Sequence, residues 1–194
     1  GLFLWHSVGT GKTCSAISIA SSGFEKENYT ILWVTRHTLK SDIWKNMFVD
    51  VCSDDIRKRI QKGEKIPSDA VEYPFKYVSK NWIQPISYKQ FSNMLSGKNE
   101  LSNTMIKRNG KEDMLKKTLI IIDEVHKLFA TDLPVIERPD YKVIKNMIRN
   151  SYQTSGKDSA RVLLMSATPC PKISTHAVCH TVSATSAPHP KCVI

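Results

Sequence analysis

Two short stretches of this chain combine residue types suited to phosphate chemistry. The first is His6-Ser-Val-Gly-Thr-Gly-Lys-Thr13, set between an apolar run, Leu2 to Trp5, and a helix-like run, Cys14 to Ala20. Backbone N–H groups of a glycine-rich turn at a helix N-terminus form an anion nest, and glycine lets that backbone come close to a ligand. Lys12 is placed to reach the β- and γ-phosphates of ATP, and the Thr13 hydroxyl to join a Mg²⁺ shell. The candidate nucleotide-binding residues are therefore His6, Ser7, Val8, Gly9, Thr10, Gly11, Lys12, Thr13 and Cys14. His6 stands where the usual GxxxxGK[ST] pattern has its first glycine, so the bland alternative is a glycine turn that happens to precede a lysine.

The second stretch is Leu119-Ile-Ile-Ile122 running into Asp123-Glu-Val-His126. A carboxylate at the end of a buried strand lies at the sheet edge where α/β folds place their ligands. Asp123 can orient Mg²⁺, and Glu124 can polarise an attacking water. Two acids could instead begin a helix, whose first turn favours negative charge. A further apolar run, Leu163 to Met165, ends in Ser166, Ala167 and Thr168 before Pro169. Short hydroxyls there are expected to hydrogen-bond Glu124 or Asp123, the alternative being a Ser/Thr turn before proline.

These residues need elements to hold them. Leu2–Trp5, Thr30–Thr35, Thr118–Ile122 and Arg161–Met165 are short, continuously apolar strand candidates, as expected for strands covered on both faces. Helical spacing joins Leu39, Ile43, Met47 and Val51 with Trp44 and Phe48, and joins Val143, Ile144, Met147 and Ile148 behind Pro139 and Asp140. The alternation predicts an α/β fold with a mainly parallel central sheet flanked by helices. From about Asp54 to Lys117 the pattern is less regular and reads as helices and loops inserted between sheet strands.

Composition sets outer bounds. The 194 residues, 41% of them apolar, suffice for one domain with its own core. The excess of 28 Lys+Arg over 18 Asp+Glu gives +10, which suits a polyanionic partner such as nucleic acid and equally a solvated basic surface. Cysteines at 14, 52, 170, 179 and 192 form no CxxC pair, which argues against a disulfide scaffold or zinc ribbon and for a reducing, intracellular setting. No segment approaches the roughly 20 apolar residues of a membrane span, so no membrane partner is expected. The chain opens on Gly1, and some upstream residues are expected to be absent.

After Pro169 the composition breaks. Cys170 to Ile194 holds three of the five Cys and three of the six His but no acidic residue, aromatic, Leu or Gly. Residues 1–169 are expected to form the ATP-binding domain and 170–194 a disordered or artefactual tail. A zinc site on Cys170, His176, Cys179, His180, His189 or Cys192 is the sharper alternative, but the spacing matches no standard pattern.

The phosphate loop, the Asp123-Glu-Val-His126 box and Ser166-Ala-Thr168, in that order, resemble the motifs of superfamily 2 DExH-box helicases. The resemblance spans Gly1 to Pro169 and implies the first RecA-like P-loop NTPase domain of a helicase or translocase that couples ATP hydrolysis to movement on DNA or RNA. It implies catalytic roles for Lys12 and Glu124, Mg²⁺ held by Thr13 and Asp123, and coupling through His126, Ser166, Ala167 and Thr168. Val34-Thr35-Arg36-His37 and Ile86-Ser87-Tyr88-Lys89-Gln90-Phe91 are similar to the next two motifs, which implies contacts from Thr35, Arg36, Ser87 and Tyr88 to the nucleic-acid backbone. An Asp-Glu-x-His box followed by Ser-Ala-Thr argues against a kinase or AAA-type remodeller.

The loop itself, Ile86 to Asn93 and Ser155-Gly-Lys-Asp158 look most like helicase-type NTPases of nucleocytoplasmic large DNA viruses, the early transcription factor small subunit and nucleoside triphosphatase I types. That implies viral transcription machinery as partner, and the virion or infected-cell cytoplasm as location. Such motors need a second RecA-like domain carrying an arginine finger, which is expected to be missing from this chain. The alternative function is then an incomplete, non-catalytic nucleotide- or nucleic-acid-binding fragment.

Overall fold

The computed structural model describes residues 1–5, 11–40, 58, 61–63, 80–130, 133–167 and, as backbone, 178–181. The expected helix from Leu39 to Val51 lies almost wholly outside these residues, as do His6 to Thr10 of the phosphate loop and Thr168.

Six strands form one sheet: β1 (Leu2–Trp5), β2 (Thr30–Thr35), β3 (Trp82–Ser87), β4 (Thr118–Ile122), β5 (Arg161–Ser166) and β6 (Val178–Thr181). Their order is β3-β2-β4-β5-β1-β6, and every pairing is parallel. The four expected strands are all present. β3 is additional, and Pro85 in its middle explains why it escapes a sequence reading, since proline cannot donate to a ladder. The structure accommodates Pro85 on an edge strand, where the register to β2 slips between Leu32 and Val34. β6 is the second difference. Within the stretch expected as a tail, Val178–Thr181 pairs beside β1, with His180 opposite Leu2.

Alternation along the strands divides the core between the two faces. Ile31, Trp33, Leu119, Ile121, Leu163 and Met165 pack with Ala16, Ile17 and Ala20 of helix α1 (Lys12–Ile19) and its continuation. Leu32, Val34, Ile120, Ile122, Val162 and Leu164 face the other way, toward α2 (Tyr88–Leu95), α3 (Glu100–Asn109) and α4 (Tyr141–Ser155). With helices on both faces, a parallel sheet can bury strands as continuously apolar as Thr118–Ile122. The chain is thus α/β and RecA-like, as expected.

Local signals set the helix starts. Asp140 caps α4 by accepting from Val143 N–H at 3.2 Å, as the Pro139-Asp140 signal predicts. Ser87 and Gln90 form a reciprocal capping box at α2. The parallel register brings Trp5, Thr35, Ser87, Ile122 and Ser166 to one edge of the sheet, from which the motif-bearing loops leave.

Candidate functional site

Gly11 sits at φ 78°, ψ 23° as the residue before α1, a left-handed conformation that glycine adopts without strain. The first bond of the helix runs from Ser15 N–H to Gly11 C=O at 3.0 Å, so the first-turn amides of Lys12, Thr13 and Cys14 point out of the helix start. Negative charge is favoured there by those amides and the helix dipole together.

The acidic box leaves β4 at the same edge. Asp123 N–H bonds Val34 C=O at 2.9 Å, extending the β2–β4 ladder, and Asp123 Oδ1 accepts Glu124 N–H at 3.0 Å. Thr35 Oγ1 donates to Asp123 Oδ2 at 3.3 Å. Burial pushes the Asp123 carboxyl up to about 6, with the Glu124 charge adding to the rise. Against this act the Glu124 N–H, the Thr35 hydroxyl and the positive charge of Lys12. Lys12, the first residue of α1, and Asp123, after β4, therefore share one electrostatic environment across the intervening strand β5.

Glu124 adopts φ 47°, ψ 50°, a left-handed conformation uncommon for a residue with a Cβ. A 3₁₀ turn over Val125–Phe129 comes next and turns His126 back toward the edge. His126 Nδ1 lies 3.2 Å from Glu124 Oε2 and 3.0 Å from Ser166 Oγ. Since a bare ring nitrogen would repel the carboxylate, this pairing assigns the proton to Nδ1. Ser166 Oγ thus meets His126, which in turn meets the Glu124 carboxylate. Ala167 comes directly after β5, half-buried.

Three of the four residues expected to touch nucleic acid have their side chains turned inward. Thr35 is 0% exposed with its hydroxyl on Asp123, and Ser87 is buried as the cap of α2. Tyr88 is 2% exposed, and its hydroxyl donates to the backbone carbonyl of Asp123 at 2.6 Å, with Glu124 C=O at 3.3 Å. Their hydroxyls are committed inside the protein, because residues that end neighbouring parallel strands meet each other before they meet solvent. Arg36 is half-buried and remains at the edge, close enough to Tyr88 for its charge to act on the phenol.

The donor set fits a magnesium nucleotide. A half-buried carboxylate raised by desolvation and by an acidic neighbour is one that a divalent cation would stabilise, and the α1 N-terminus with Lys12 suits the phosphates. Among the described residues no group of three or more His, Cys, Asp or Glu could hold a metal ion by itself. A magnesium ion here would have to draw most of its ligands from substrate phosphates and water.

A family model described as "Type III restriction enzyme, res subunit" matches residues 1–170. The chain belongs to that family. It is accordingly a helicase-family ATPase domain. A protein of Acanthamoeba polyphaga mimivirus named "Putative ATP-dependent RNA helicase R563" is 28% identical over 179 residues, covering 87% of this chain and 26% of the relative. The chain thus spans about a quarter of that relative's length. The solved structure of C. elegans PCH-2 gives a TM-score of 0.27 at 15% identity over 86% of this chain and 39% of that one, too slight a likeness to define the fold. No helix among the described residues is long and apolar enough to cross a membrane.

Proposed function

We propose that residues 1–169 form the first RecA-like domain of a DExH-type motor that couples ATP hydrolysis to movement on nucleic acid. The observation that carries the reading is that the helix start at Gly11-Lys12 and the Asp123-Glu124 box leave the same edge of the sheet, close enough for the Lys12 charge to act on Asp123. Lys12 and the amides from His6 to Cys14 would hold the triphosphate, and Thr13 with Asp123 would hold Mg²⁺. When bound, Mg²⁺ supplies charge neutralisation on the phosphate oxygens. Glu124 orients and polarises the attacking water, while His126, in contact with Glu124 and Ser166, links the water site to the end of β5. Ala167 and Thr168 complete that coupling segment.

Arg36 remains the candidate for contact with a phosphate backbone, and the +10 charge supports such a partner. RNA is the favoured track because the mimivirus relative is named an RNA helicase, and a role in viral transcription is in keeping with the same likeness. The test compares ATPase activity with and without RNA or DNA in a chain that carries a second RecA-like domain. Stimulation that weakens steeply with salt is expected; turnover indifferent to every nucleic acid tried would remove the motor reading. The 194-residue chain alone is expected to bind Mg-ATP but to hydrolyse it slowly, since an arginine finger supplied from elsewhere is worth about 10³–10⁵ in related phosphoryl transfers.

A further inference from the structure

We infer that Tyr88 is a positioning residue for Glu124: its hydroxyl ties down the two peptide carbonyls that flank the left-handed Glu124 and so sets where that carboxylate points. The inference rests on the reading of Glu124 as the group that polarises water. A residue with a Cβ holds a left-handed conformation only where its surroundings impose it. At Glu124 those surroundings are identifiable. The preceding peptide is fixed by Glu124 N–H on Asp123 Oδ1 at 3.0 Å and by Tyr88 Oη on Asp123 C=O at 2.6 Å. The next carbonyl, of Glu124 itself, receives Lys127 N–H at 2.8 Å and lies 3.3 Å from the same phenol oxygen.

One phenolic proton cannot serve two acceptors equally, so the short bond to Asp123 C=O is the principal one and the Glu124 carbonyl takes a lesser share. The donor is permanent. Burial first, then the Asp123 and Glu124 charges, push the phenol far above its usual range, and the Arg36 charge opposes them without reversing the shift. Tyr88 therefore stays an O–H donor at any pH the protein survives.

Tyr88 is itself held by an independent device. It is the first residue of α2, whose start is locked by the Ser87–Gln90 capping box, and Lys40, beyond β2, donates to Gln90 Oε1 at 3.2 Å. The segment after β2, the start of α2 and the acidic box thus form one chain of contacts. A displacement of α2 or of the Lys40 segment would be felt at Glu124 through a single hydroxyl. A tyrosine serving merely as core filler would be replaceable by phenylalanine, which supplies the test.

Tyr88→Phe keeps the ring and removes the bond. In a chain competent for turnover, kcat is expected to fall by about 10- to 100-fold with KM for ATP changed less than about twofold. Combined with Glu124→Gln, the same change should cost nothing further, because both act through one carboxylate. A full additional loss in the double variant would show an effect routed elsewhere and overturn the inference.

A second arm needs no turnover and separates failure here from failure of the ATPase reading. Amide exchange at Lys127, bonded to the Glu124 carbonyl, should accelerate about tenfold in Tyr88→Phe while Ile144 in α4 stays protected. Unchanged Lys127 exchange would overturn the inference even in an active enzyme; faster exchange in a chain without ATPase activity would sustain the clamp and reject only the catalytic reading. If Tyr88→Phe does not fold, 3-fluorotyrosine at position 88 keeps the O–H and strengthens it as a donor. Slower Lys127 exchange is then expected, and no change would count against the clamp.

Discussion

Two aspartates at opposite ends of strand β4 have opposite fates. Asp113 precedes the strand and is 8% exposed. Its carboxylate accepts Leu115 N–H at 2.9 Å, Ser151 Oγ at 2.7 Å and Ser155 Oγ at 2.6 Å. Asp123 lies just after the strand and, among the described residues, has one backbone donor at 3.0 Å, one hydroxyl at a long 3.3 Å and an acidic neighbour. One carboxylate is closed off by short hydrogen bonds; the other is left under-provided. Buried groups with all their partners hold a fold together, whereas a group short of partners at a sheet's C-terminal edge is available for a ligand.

The largest effect should come from the open end. Glu124→Gln is expected to lower nucleic-acid-stimulated turnover by about 10²–10⁴ while leaving thermal stability nearly unchanged, because a half-buried carboxylate becomes an isosteric amide. Steady-state ATPase assays beside thermal melts decide it, and a matching loss of stability would mean that this end is structural too.

At the closed end the order reverses. Asp113→Ala strands the Leu115 amide and two serine hydroxyls, one of which, Ser151, also accepts Ala160 N–H at 3.0 Å and so helps start the turn into β5. A loss of about 3 kcal/mol in denaturant unfolding is expected, with Mg-ATP affinity of the folded fraction unchanged. A selective loss of nucleotide affinity would erase the contrast between the two ends.

The raised Asp123 carboxyl makes a pH prediction of definite sign. With a value of about 6 folded against 3.8 as the ordinary value, the native state holds more protons than the unfolded state between these limits. Stability should therefore fall as pH rises from about 4 to 6, by about 2 kcal/mol from this group. Asp123→Asn should flatten that part of the profile, and Mg-ATP should offset the loss above pH 6. A profile unchanged in Asp123→Asn would show that Asp123 is not the under-provided group.

How much of this is legible in the sequence varies with the range of the contact. Continuous apolar strands and the Asp140 cap announce themselves within a few residues, and so do the turn at Gly11 and the acids after β4. β3 does not, because Pro85 argues locally against a strand, and only the pairing with β2 places it at an edge. Tyr88 and the acidic box are 35 residues apart, so no local pattern could join them. The Ser166 contact with His126, 40 residues away, is equally beyond local reach. A hydroxyl at a strand end suits a phosphate and a neighbouring strand equally, and the sheet's register turns those of Thr35 and Ser87 inward.

The smallest expected effect sharpens the contrast most. Thr35→Val preserves the shape of a fully buried side chain and removes only its 3.3 Å bond to Asp123, so the stability cost should stay under about 1 kcal/mol. Ser155→Ala, which removes a 2.6 Å bond to Asp113, should cost more, about 1–2 kcal/mol. The two changes differ in kind as well as size. The Thr35 hydroxyl is one of the groups holding Asp123 down, so its loss should raise the Asp123 carboxyl further and carry the pH-dependent loss of stability to higher pH. A carboxyl ¹³C titration of Asp123 reads this directly. Were its midpoint to stay put in Thr35→Val, Lys12 and the Glu124 amide alone would be what keeps Asp123 ionisable, and the open end would depend on the phosphate loop instead of on β2.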